Sequence, residues 1–142
     1  MKKIKIILVL IFILSAAFVL GYFGTLKIKR SSQDSGGYLK QSSVAGTVEV
    51  GVVPKELKAG QEMVFTVTLD NHIIDLNYDY TKIAAVVDDK GNVYKPTKWM
   101  EVEGGHHVTG DLIFNKLSGK ARSIGLNING IDSKNVVFNW DL

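Results

Sequence analysis

From residue 63 to residue 69 the chain alternates without a break: Met63, Phe65, Val67 and Leu69 against Val64, Thr66 and Thr68. Successive side chains of a strand point to opposite faces, so this order builds one strongly apolar face and one mixed face. A helix would scatter the same residues around its circumference. The pattern also fixes register, because a slip of one residue would turn the whole apolar row to water.

The same period recurs along the chain. Val48, Val50 and Val52 alternate with Thr47, Glu49 and Gly51, and Pro54 is expected to end that strand. Residues 83–87 form a short apolar run closed by Asp88-Asp89-Lys90-Gly91-Asn92, a turn signal. A partner strand is expected over residues 93–98, with Pro96 weakening its far end and marking an edge. Val108, Leu112 and Phe114 define a further strand with Gly110 as a bulge, and Ser118-Gly119 follows as a turn. Ile124, Leu126 and Ile128 alternate with Gly125 and Asn127, Asn129-Gly130 starts a turn, and Val136, Phe138 and Trp140 close the chain. About seven short strands, with no helical period after residue 30, predict an all-β, antiparallel sandwich of immunoglobulin type.

Before this domain lies a different kind of sequence. Residues 6–24 run for 19 residues without a charge, bracketed by Lys2, Lys3 and Lys5 and by Lys27, Lys29 and Arg30. As a helix the run spans roughly 28 Å, the thickness of a bilayer hydrocarbon core. Residues 1–30 are therefore expected to form one N-terminal transmembrane helix, an uncleaved anchor rather than a cleaved signal sequence. The small residues Ser15-Ala16-Ala17 sit mid-run instead of behind it, as a cleavage site would require. A short N-terminal tail stays most simply in the cytoplasm, which puts the bulk of the chain outside the cell membrane. Residues 31–44, rich in Ser, Gly and Gln, read as a flexible linker, and residues 45–142 as the sandwich.

Charge then narrows the partners. Of 17 basic residues six flank the apolar run, so residues 31–142 carry 11 basic against 14 acidic side chains, a balance of −3. No basic face is available to neutralise phosphates, and nucleic acid is not an expected partner. The chain has no cysteine, which excludes disulfides, thiolate metal sites and the lipidated cysteine of a lipoprotein.

Val67-Thr68-Leu69-Asp70, then Val87 through the Asp88–Asn92 turn to Tyr94, then residues 105–114, together resemble the telokin-like, immunoglobulin-like domains of small exported bacterial and archaeal proteins. The resemblance covers about residues 46–142. A narrower similarity is to uncharacterised exported domains that carry Asp-x-His after the second strand and Gly-Gly-His-His before the fifth. Here these are Asp70-Asn71-His72 and Gly104-Gly105-His106-His107. The likeness implies a fold and an exported location, and no reaction.

Those two motifs hold all three histidines. His72, with His106 or His107 and a carboxylate such as Asp70 or Asp75, makes a mixed nitrogen and oxygen donor set suited to zinc or copper, to which Met100 could add sulfur. Adjacent histidines in an extended segment face opposite ways, so only one of His106 and His107 serves a given site. The competing expectation is that the imidazoles bond to loop backbone and hold the two loops together. Asp70, Asp75 and Asp79 lack the spacing of a calcium loop. Thr109, His107 and Asp111 have the residue types of a triad without a nucleophile elbow, and the chain is not expected to be an enzyme or to need a cofactor. Trp99, Trp140, Tyr78, Tyr80 and Tyr94 are expected to pack in the core or on its rim. Two functions follow: a binding or interaction module recognising an unknown protein or envelope ligand, and an extracytoplasmic copper or zinc protein built on His72 with His106 or His107.

Overall fold

The computed structural model describes residues 37–142. The predicted anchor and residues 31–36 of the predicted linker lie outside the described residues, and among the described residues no helix is long and apolar enough to cross a membrane. Among the described residues nine strands and one helical turn follow in order: β1 (Gln41–Ala45), β2 (Val48–Glu56), β3 (Glu62–Asp70), α1 (Tyr80–Ile83), β4 (Ala84–Asp88), β5 (Val93–Tyr94), β6 (Pro96–Glu103), β7 (His107–Lys116), β8 (Ser123–Ile131) and β9 (Lys134–Asp141). They form a five-stranded sheet in the order β1-β2-β3-β7-β6 and a four-stranded sheet in the order β5-β4-β8-β9. Every pairing is antiparallel. The all-β character expected from the alternation is present.

The alternation carries the core. On β3, Met63, Phe65, Val67 and Leu69 are buried, and cross-strand partners Val50 and Val108 flank Leu69 on the same inner face. The second sheet answers with Val86, Leu126, Ile128, Val136 and Phe138, and both sets belong to one apolar cluster. Phe65 meets Phe114 edge-on at 5.7 Å and Trp140 at 5.4 Å. Burying rings of this size supplies much of the folding energy of so small a core, at about 25 cal/mol for each Å² of apolar surface removed from water.

Several expectations are corrected. Residues 41–44, assigned to the linker, form β1 and pair with β2 from Gln41↔Val52 to Ala45↔Val48. Their side chains are mostly polar, but an edge strand is held by main-chain bonds that composition does not reveal. Pro54 does not end β2, which runs on to Glu56 after a shift of register at that point. Residues 93–98 are not one strand. Val93 and Tyr94 pair with β4, then the chain crosses to the other sheet, and Pro96 opens β6, a position where a missing N–H costs no ladder bond. Nor is Gly110 a bulge: it lies in register, and a Cβ there would come within 2.4 Å of the Trp99 indole, so glycine makes room for that ring. Asn129-Gly130 is a bulge within β8, and the tight turn follows at Asp132-Ser133, both with positive φ. The helical turn α1 was also not anticipated. Four residues are too few to show a period, and its start is set by the Asp79 carboxylate accepting from the Thr81 N–H.

Two polar residues are buried among the described residues, Asn71 and Asp88, and the second is charged. Asp88, 5% exposed, ends β4 and gathers the following turn by accepting from the Lys90 and Asn92 N–H groups, the Asn92 side chain and the Tyr94 hydroxyl, all at 2.8–2.9 Å. Burial by itself would raise this carboxyl, yet the Asn92, Tyr94 and Lys90 donors together hold it below the ordinary carboxylate range.

Candidate metal centre

β3 ends by the rule that made it. Leu69 faces the core, so Asp70 faces solvent, and the next outward position two residues on is His72. The residue between them, Asn71, turns inward and is almost fully buried. Its Oδ1 accepts from the N–H groups of Ile73 at 2.6 Å and Ile74 at 2.7 Å, while its Nδ2 donates to the Ile74 carbonyl at 2.9 Å. This turn pins the loop that bears His72.

The Gly104–His107 loop meets it directly. The chain reverses at Gly105, where φ is +89°. The Asn71 N–H donates to the His106 carbonyl at 3.2 Å and the Leu76 N–H to the Gly105 carbonyl at 3.4 Å. The adjacent histidines then part, as an extended segment requires. His106 Nδ1 donates to the Ile74 carbonyl at 3.0 Å and ties the loops together. His107, the first residue of β7, turns to the outer face of the sheet opposite Asp70, its cross-strand partner.

Asp70, His72 and His107 come together there, each offering one donor atom, all within 4.8 Å of one another. The rings of His72 and His107 sit edge to face with centroids 5.2 Å apart. His107 Nδ1 lies 2.9 Å from Asp70 Oδ1. In the neutral state the contact is a hydrogen bond from Nδ1–H to the carboxylate; with the proton on Nε2 instead, Nδ1 and Asp70 both turn lone pairs toward a cation seated between them. All three side chains are exposed, so water and ions reach them without any opening motion.

The remaining residues singled out from the sequence fall elsewhere. His106 is committed to Ile74, and Asp75 does not belong to the group. Asp79 caps α1; its ion pair with Lys82 and then its bond from Thr81 lower its carboxyl to about 2. Met100 stands opposite Asp111 on the β6–β7 ladder. Thr109 and Asp111 share the outer face of β7 with His107, but Asp111 accepts from Lys55 and Thr66, each at 2.8 Å, and not from an imidazole. Trp99 packs tilted against Tyr80 with ring centroids 4.5 Å apart, Trp140 lies in the core, and Tyr94 serves Asp88.

Glu49 was not singled out from the sequence. The register Val44↔Glu49, Glu49↔Asp70 and Asp70↔His107 makes one row across four strands, and it sets two carboxylates on directly facing positions. Nothing within β2 or β3 alone signals that row, because it exists only in the pairing. A cleft of about 350 Å³ runs beside it, lined by Lys40, Glu49, Thr68, Asp70, His107 and Thr109. Lys40 lies over Gly51, where a Cβ would come within 2.4 Å of its Cε. Comparison of the chain with known protein families, with curated proteins and with solved structures found no match, so the chemistry of this site is read from its own residues.

Proposed function

We propose that the chain is a membrane-tethered, extracytoplasmic immunoglobulin-like binding module that takes a divalent transition metal ion, zinc or copper(II), on Asp70, His72 and His107. The convergence of these three donors within 4.8 Å carries the proposal. Two imidazoles and a carboxylate suit ions of this class, and an exposed position favours uptake and release over burial. The strand order supports the immunoglobulin reading: β2-β3-β7-β6 beside β5-β4-β8-β9 follows the A-B-E-D and C′-C-F-G order of such domains, with β1 added at one edge. The 19-residue uncharged run supports the tether. The module binds rather than catalyses, and its place outside the membrane would present the site to an envelope or protein partner.

Calorimetric titration of the tag-free full chain in detergent with zinc and with copper(II) tests this. Stoichiometric binding is expected, lost in His72→Ala and His107→Ala and retained in His106→Ala. Absence of heat with both ions, or equal binding in all three variants, would sink it.

A further inference from the structure

We infer that Glu49 is the fourth ligand of this site, and that the bound ion is a clasp across β2, β3 and β7. The inference rests on the metal reading above and adds to it a residue, a coordination number and a consequence for the fold.

Three observations carry it. Glu49 and Asp70 face each other directly in the β2–β3 ladder, with both side chains exposed on the outer face. Directly opposed like charges destabilise a sheet, so the pairing needs an account. Among the described residues neither carboxylate has a lysine or arginine within ion-pair distance; Asp70 has only His107, and Lys40 lines the same cleft without pairing with either. Second, the geometry of the row suits one ion. Neighbouring strands lie about 4.8 Å apart, so an ion held above Asp70 has Glu49 on one flank and His107 on the other; the Glu49 carboxylate stands outside the three-residue group and reaches the ion by a change of rotamer. His72 closes the site from the end of β3. Third, the charges balance: two carboxylates and two neutral imidazoles offset a divalent cation, and four protein donors complete the tetrahedral shell of a structural zinc rather than leaving an open catalytic position.

The consequence is mechanical. Without the ion, repulsion between Glu49 and Asp70 loosens the β2–β3 end of the sheet; with it, three adjacent strands are joined at the point where the two loops dock. Binding to the folded state alone raises stability by mass action, so zinc should raise the melting temperature.

The test follows zinc affinity and melting temperature on the tag-free full chain in wild type, Glu49→Gln, Glu49→Asp and His72→Ala. In Glu49→Gln the two readouts should move in opposite directions: zinc affinity falls about tenfold or more, as for loss of a ligand or its close support, while the metal-free melting temperature rises by about 1 to 5 °C through relief of the opposed charges. Glu49→Asp keeps the charge but withdraws the carboxylate by one methylene, and its affinity should fall as well. Wild-type affinity in Glu49→Asp with loss in Glu49→Gln would mean that Glu49 acts only through its field, and would overturn its role as a ligand. Wild-type affinity in both, with loss in His72→Ala, would leave the three-residue site standing and remove Glu49 from it. Zinc that fails to bind the wild type would overturn the four-ligand zinc clasp, and failure of copper(II) as well would overturn the metal reading beneath it.

Discussion

Two aspartates end two strands of this protein and do opposite things. Asp88 at the end of β4 is buried and accepts four hydrogen bonds, so every lone pair it brings into the core is used. Asp70 at the end of β3 is 61% exposed, has one imidazole partner, and stands directly opposite another carboxylate. A saturated carboxylate has nothing left to offer a ligand and closes a turn. An under-partnered one beside two histidines keeps its capacity for a cation. The difference between a structural acid and a candidate ligand lies in the census of donors around it rather than in the residue type.

The largest expected effect falls on Asp88. Asp88→Ala leaves the turn's N–H groups and the Tyr94 hydroxyl without their acceptor, and unsatisfied groups of this kind cost about 1 to 3 kcal/mol. Urea unfolding of the full chain should show that loss, while Asp70→Asn, exposed and relieved of an opposed charge, should show none. A destabilisation in Asp70→Asn equal to that in Asp88→Ala would erase the contrast.

Metal affinity should invert the ranking. Asp70→Asn should weaken zinc binding by about tenfold or more, because it removes an anionic ligand of the ion. Asp88→Asn should bind as the wild type does, read by the same calorimetric titration.

Acid should separate the two sites again. The Asp88 carboxyl is held low in the folded chain, so its stabilisation is complete above the ordinary carboxylate range, about pH 4, and is lost as pH falls through the lower folded value. An acid limb of unfolding that flattens in Asp88→Asn is the expected result. Zinc binding should weaken at milder acidity, because a protonated imidazole has no lone pair for the ion. Titrations at about pH 7.5 and about pH 5 should differ in affinity while the fold, followed by circular dichroism, stays intact.

The smallest effect concerns an N–H group with no acceptor among the described residues. Trp140 Nε1 is buried without a hydrogen-bond partner, the reverse of Asp88. Trp140→Phe removes that orphan along with some packing, two changes of opposite sign, so stability should move by less than about 1 kcal/mol. A loss of several kcal/mol would show that the indole N–H has an acceptor after all.

The sequence by itself determined the class of fold and most of its strands, because period-2 alternation is a local property: Met63 to Leu69 can bury its apolar side in only one way. It also brought forward His72 with a carboxylate such as Asp70 or Asp75 and one of His106 and His107, since adjacent histidines in an extended segment must divide between two faces. What it left open was which of that pair turns outward, and the tertiary structure decided it: His106 bonds to the Ile74 carbonyl that the Asn71 turn holds in place, and His107 falls into register with Asp70. The crossover at Pro96 and the pairing of β1 were decided in the same way, by main-chain partners distant in sequence. Glu49 is the clearest case. It lies 21 positions before Asp70 and becomes its neighbour only through the β2–β3 ladder, a non-local pairing that no local pattern of side chains encodes.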